Sequence, residues 1–216
     1  GVTAQPESKD GSSLEPMTSY NLQAMSIGFL IDEETPMIWR GPMVTQALEQ
    51  LLKDTRWNDL DYLIIDLPPG TGDTQLTLAQ KVPVSGSVIV TTPQDIALLD
   101  ARKALKMFEK VEIPVLGVVE NMSTHICSNC GHEEHIFGEG GGLSMAEQYD
   151  VDYLGAIPLD MAIRKDVDQG KPTVVADPDG RIAMNYREIA RRTAAKLSMK
   201  KKDFTAAFPN IVIDNT

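Results

Sequence analysis

Three stretches of this chain, Leu63-Ile64-Ile65, Val88-Ile89-Val90 and Val115-Leu116-Gly117-Val118-Val119, are apolar on consecutive residues instead of alternate ones. A strand with one face in water alternates, whereas a strand covered on both faces does not. They belong to five short β-rich runs, 25–31, 62–67, 87–92, 115–120 and 151–157. Helical patterns lie between the runs. Val44, Leu48, Leu51 and Leu52 share one stripe of residues 44–56, and Leu98, Ala101, Leu105 and Phe108 share one stripe of 96–110. Residues 74–81, 143–149 and 182–197 are further helix candidates. This alternation predicts an α/β fold, a mostly parallel sheet flanked by helices and joined by right-handed crossovers. Ligands of such sheets sit beyond the carboxyl ends of the strands. Here those ends are the loops 67–73, 92–96, 120–142 and 157–161.

With 216 residues the chain is long enough to bury a core without staples, and two cysteines rule out a disulfide scaffold. Acids outnumber bases 31 to 20, a net charge of -11. That balance opposes a duplex-binding role, which draws its affinity from Lys and Arg on phosphate, and equally an anchor on anionic lipid. No apolar run approaches a membrane span, and residues 1–6 lack a basic-then-apolar signal. The expectation is a cytoplasmic protein without nucleic-acid or membrane partners. Residues 1–198 read as one domain. Residues 199–216, with Lys200-Lys201-Lys202 and then Phe208-Pro209-Asn210-Ile211-Val212-Ile213, read as a loosely docked tail.

The loop after the run 62–67 is the most informative. A buried strand ending in Asp66 needs a partner for that carboxylate, and a hydrated Mg²⁺ on nucleotide phosphates is one such partner. Pro68 and Pro69 stiffen the exit, and Gly70 and Gly72 let backbone N–H groups approach an anion. Thr71 or Asp73 then caps the next helix. The bland alternative is an ordinary strand-to-helix turn. Asn121 ends another apolar strand, where a side-chain amide either reads an adenine edge or merely closes a turn. Gln94 and Asp95 read as caps of the helix after residue 92, and Trp39-Arg40 as a packing pair or a contact with nucleotide or a facing subunit. Met107, Met145, Met161 and Met184 read as core filler. Residues 138–142 are glycine-rich but lack a lysine, so they read as a hinge or a close-packing turn.

Cys127 and Cys130 are spaced Cys-x-x-Cys, and His125, His132 and His135 fall within the same eleven residues. Thiolate and imidazole are metal ligands. Four readings are open. Two thiolates are half of a four-thiolate iron–sulfur site that a symmetric dimer would complete. Cys127, Cys130, His132 and His135 could hold zinc within one chain, although the His-x-x-His spacing is tight. A redox dithiol is the third reading, but a thioredoxin-like pair opens a helix and this one lies in a loop. Two incidental cysteines are the fourth.

Asp66-Leu67-Pro68-Pro69-Gly70-Thr71-Gly72-Asp73 resembles the Walker B/switch II segment of the Mrp/ApbC family. Its members are P-loop ATPases of the MinD-like, deviant Walker A class that carry iron–sulfur clusters. The resemblance continues through 38–43, Thr91-Thr92-Pro93-Gln94, Val119-Glu120-Asn121-Met122, Cys127-Ser128-Asn129-Cys130-Gly131 and 137–142, spanning about residues 20–195. It implies a P-loop NTPase fold of the SIMIBI/MinD-like type, with the Cys-x-x-Cys loop at 122–142. It further implies that Asp66 orders Mg²⁺ and its water, that the Gly70 backbone senses the γ-phosphate of ATP, and that Asn121, Pro158 and Asp160 contact the nucleotide. Cys127 and Cys130 would bridge a [4Fe–4S] cluster in a homodimer, for transfer to apo iron–sulfur proteins. The histidines would then lie around the cluster or on the surface, and glycines 138–142 would let the loop reorient. The family's phosphate cradle has no counterpart. No Gly-Lys-Ser or Gly-Lys-Thr occurs, and the one Gly-Lys precedes Pro172. The chain thus reads as the C-terminal two-thirds of such a protein, without the first strand and its phosphate loop. ATP hydrolysis is expected of the intact protein only, because switch II without a cradle cannot hold the triphosphate. Loss of that strand would also expose sheet edges. Two other classes compete: a partitioning ATPase of the MinD/ParA type, which needs a basic face, and a zinc-binding interaction module.

Overall fold

A parallel three-stranded sheet, in the order Ser87–Thr91, Val115–Asn121, Tyr153–Ile157, carries the core of the computed structural model. The structure describes residues 2, 4–30, 41–67, 70, 72, 75–77, 82–127 and 129–199. A small antiparallel hairpin, β1 (Met17–Ser19) and β2 (Leu22–Ala24), precedes the sheet. Its two-residue turn places Tyr20 and Asn21 at φ of 51° and 62°, the left-handed values that a tight hairpin of this twist requires. Helix α1 (Gly41–Lys53) follows. Then come β3 (Ser87–Thr91), α2 (Asp95–Lys110), β4 (Val115–Asn121), a two-rung hairpin of β5 (His125–Ile126) and β6 (Glu133–Glu134), and α3 (Gly141–Gln148). The chain continues with β7 (Tyr153–Ile157), α4 (Met161–Asp168), α5 (Thr173–Ala176) and α6 (Arg181–Ser198).

The apolar run of β4 is explained by its place in the middle of the sheet. Residues 116–120 are all buried, because α2 and α3 cover one face and α6 the other. On the first face Ile89, Leu98, Leu105, Phe108, Val118 and Met145 pack together, with Leu105 and Val118 fully buried at 0% exposure. On the second, Val119, Leu154 and Ile157 meet the partly buried Tyr186 and Ile189 of α6. Helix α2 follows its sequence stripe, and its terminal charges complement the helix dipole, with Asp95 in the first turn and Lys110 in the last. Gly117 sits where the pairing slips between β3 and β4. A Cβ there would lie 2.5 Å from the Asp152 carbonyl oxygen, so only glycine fits.

Two expected strands are absent. Residues 62–67 form none, and Tyr62, Leu63 and Ile64 are exposed, Ile64 at 91%. An apolar run becomes a strand only when neighbours bond its edges and cover its faces, and no strand among the described residues pairs with it. In the run 25–31, Ile27–Phe29 form a 3₁₀ turn instead, with the Ser26 hydroxyl accepting from Gly28 N–H at 3.2 Å. The actual strand, β2, lies just upstream. Helix α1 occupies 41–53 where the stripe predicted 44–56, and the helices expected at 143–149 and 182–197 appear as α3 and α6. Of the helix expected at 74–81, residues 75–77 are helical. The expectations for Trp39-Arg40, Pro68, Pro69, Thr71, Asp73 and residues 200–216 lie outside the described residues. Among the described residues no helix is long and apolar enough to cross a membrane.

Candidate functional site at the carboxyl edge of the sheet

Because β3, β4 and β7 are parallel, their carboxyl ends share one edge, with Thr91 opposite Glu120 and Asn121 opposite Ile157. Asn121 is half-buried, and its Oδ1 accepts from Met122 N–H at 3.0 Å. That bond holds Met122 at φ 54°, an unfavourable value for a side chain of this size. Pro158 is buried at the end of β7. Asp160 caps α4, its carboxylate accepting from Ala162 N–H at 2.7 Å. Gln94 occupies the cap position of α2 but makes no side-chain cap bond; its Oε1 accepts from the Thr92 hydroxyl instead. Asp66 is exposed, so the desolvation argument for a bound cation does not hold in this conformation. Gly70 is exposed at φ 104°, a conformation that needs glycine.

The candidate residues read from the sequence omit Glu120. It is 3% exposed inside the apolar run of β4, and its Oε2 accepts from Gly142 N–H at 2.5 Å, at the start of α3. Burial, then the Glu120 charge, pushes the Tyr153 phenol up to about 12. The contact also explains the glycine run. A Cβ on Gly142 would lie 3.0 Å from the Glu120 Cβ, and one on Gly141 would lie 2.7 Å from the Pro93 carbonyl oxygen. Of the two readings of 138–142, the close-packing turn matches this geometry, and the reorienting hinge does not. An acid interrupting a buried strand run is the signal that could have found Glu120.

Between β4 and α3 the chain projects the cysteine hairpin. Its two rungs pair His125 with Glu134 and Ile126 with Glu133. Beyond them Cys127 N–H donates to His132 O at 2.9 Å, and Gly131 N–H donates to Cys127 O at 2.8 Å. Gly131, at φ 71°, makes this tight reversal. Both cysteines are free, Cys127 half-buried and Cys130 exposed. The Cys127 thiol is held below the ordinary thiol range, first by the Cys130 N–H, then by the Asn129 N–H and the Cys130 side chain. A knuckle of backbone donors aimed at one sulfur suits a metal-binding thiolate.

His125 and His135 serve the hairpin's attachment. His125 Nδ1 lies 3.0 Å from Leu159 O, and His135 Nδ1 lies 3.2 Å from Ser123 O. Because carbonyls only accept, each Nδ1 carries the proton. Nε2 of His135 lies 3.8 Å from Glu139, and Nε2 of His132 lies 3.9 Å from Glu134. Among the described residues no group of three or more His, Cys, Asp or Glu side chains is placed to hold a metal ion. The zinc quartet of Cys127, Cys130, His132 and His135 is therefore not assembled. No helix opens at Cys127, so the thioredoxin-like arrangement is absent too.

Comparison with known proteins places this geometry in context. The family model described as ParA, NUBPL iron-transfer P-loop NTPase, matches residues 1–194. The chain is 63% identical over 186 residues to an iron-sulfur cluster carrier protein of Pseudomonas fragi, covering 86% of this chain and 65% of that one. It is 47% identical over 196 residues to the iron-sulfur cluster transfer protein NUBPL of Mus musculus, covering 91% and 61%. Among solved structures it is similar to a nucleotide-binding protein of Archaeoglobus fulgidus in complex with ADP. The TM-score is 0.66 and the identity 35%, over 82% of this chain and 67% of that one. The Pyrococcus furiosus cell division ATPase MinD shares the fold, with TM-score 0.53 at 20% identity over 72% and 59% of the two chains. The chain thus spans 65% and 61% of the two curated relatives' own length.

Proposed function

Because this chain belongs to the NUBPL iron-transfer P-loop NTPase family, we propose that it carries a labile [4Fe–4S] cluster as cargo between two copies of itself and passes it to apo iron–sulfur proteins. The observation that supports this reading most is the knuckle. It offers two sulfurs on a surface hairpin, one of them an activated thiol, and no third ligand among the described residues of the same chain. A four-thiolate site then requires a second chain, and a two-fold axis through the knuckles supplies it. Exposure of Cys130 favours release of cargo to a partner, which a closed structural metal site would resist.

The nucleotide half of the proposal concerns the longer protein. Asp66 and Gly70 would act on the Mg²⁺ and γ-phosphate side of ATP, and Asn121, Pro158 and Asp160 on the base side. The donor set suits that role, since Asp66 is an exposed carboxylate and Asn121 an amide at a strand end. ATP binding and hydrolysis would gate cargo transfer there. Residues 1–198 would form the working domain and 199–216 a tail, in a cytoplasmic protein whose partners are proteins. A net charge of -11 opposes affinity for nucleic acid and anionic membranes and so supports that reading.

The test is transfer. Chain reconstituted anaerobically with iron and sulfide is mixed with an apo-enzyme that needs a four-iron cluster, in the presence of a chelator that scavenges free iron. Activation of the acceptor that vanishes in both Cys127→Ser and Cys130→Ser supports the proposal. Activation that persists in both variants refutes it.

A further inference from the structure

The root of the cysteine hairpin is stitched to the end of β7. Ser123 donates twice to Ile157 O, from N–H at 3.1 Å and from Oγ at 3.2 Å. Leu159 N–H donates to Thr124 O at 2.8 Å, and His125 Nδ1 donates back to Leu159 O at 3.0 Å. Leu159 lies between Pro158 and Asp160, and Asp160 starts α4. Two residues beyond His125 is Cys127. The first stitches involve residues before the hairpin strand; the imidazole bond ties β5 itself to the loop. Just upstream, Met122 holds a left-handed conformation through its N–H bond to Asn121. A strained residue and a row of bonds ending in one side chain join the root of the hairpin to the end of β7 and the residues after it.

We propose that His125 is a positioning residue that couples the cysteine hairpin to the 158–160 loop, so that whatever fixes one end is felt at the other. The proposal deepens the reading given above, in which the hairpin holds cargo and the loop touches nucleotide. It assigns the link between them to one imidazole. Coupling between sites is reciprocal, so it can be read from the cysteine end alone.

The probe is phenylarsine oxide, which bridges the two thiols without iron, and the readout is hydrogen exchange of the Leu159 amide. In the unaltered chain, bridging Cys127 and Cys130 should slow that exchange by about five-fold or more, the low end of ordinary coupling. His125→Ala should bind the arsenical yet lose the slowing. His125→Asn, whose amide nitrogen can occupy the Nδ1 position, should restore it. A purely structural histidine would change the starting exchange rate but not its response to the probe. Exchange in the buried strand β4 reports whether each variant is folded. No slowing in the unaltered chain once mass confirms the adduct, or equal slowing in a folded His125→Ala, overturns the proposal. Since neither iron nor nucleotide enters, these outcomes leave the cluster reading to its own test.

Discussion

Cys127 is where local geometry bears most directly on chemistry. The N–H groups of Cys130 and Asn129 stabilise its thiolate, so its alkylation should reach half its maximal rate at a lower pH than that of a free cysteine. Cys130→Ser keeps those backbone donors and should preserve most of the effect. A Cys127 profile matching free cysteine would show that the knuckle is not formed in solution. Tyr153 provides a second pH signature, of opposite direction. Its folded pKa, about 12, lies above the ordinary 10.0, so the unfolded chain loses its proton first. The associated stability is complete below about pH 10 and is lost as pH rises toward 12. Tyr153→Phe should flatten that part of the alkaline unfolding curve, and an unchanged curve would count against the burial of this phenol beside Glu120. At this scale the cysteine pair was legible because its spacing is itself the signal. The histidine roles were not, because the His125 acceptor is a backbone carbonyl 34 residues away, which no local pattern marks.

Elements read from periodicity held where both faces are covered. The stripe of α2 and the continuous apolar run of β4 each follow from their neighbours in the sheet. Leu105→Ala, at a position with 0% exposure, should cost about 2–5 kcal/mol in urea unfolding; a much smaller loss would mean that the α2–sheet packing is looser than described. The run 62–67 carries the same apolar signature without covering neighbours, and the sequence cannot show whether a strand's partners are present. The glycine turn divides its two readings by stability. Gly141→Ala must push a Cβ against the Pro93 carbonyl and the Leu98 side chain, and should lower the unfolding free energy by about 1–3 kcal/mol. A neutral substitution would restore the hinge. The cysteine hairpin, with two rungs, is too short to hold itself, so its stitching to β7 is what orders it.

For the molecule as a whole, strand–helix alternation was enough to give a parallel sheet, and the order β3-β4-β7 agrees, while the site at its carboxyl edge belongs to the proposal. Local pattern could not give the dependence of the 62–67 segment on neighbours, nor the way the hairpin is bound across two strand ends. The chain matches 65% of one curated carrier's length and 61% of another's, and the nucleotide cycle is part of the proposal alone. The proposed cluster site can be tested on these residues alone, because the ligands the proposal assigns, Cys127 and Cys130, lie in this chain and would recur in its copy. The most direct measurement is therefore iron and sulfide content together with particle mass after anaerobic reconstitution. The account expects a coloured species of two chains holding about four iron and four sulfide atoms, reverting to colourless single chains in the Cys127→Ser/Cys130→Ser double variant. A colourless monomer from the unaltered chain, or colour retained by the double variant, would contradict it.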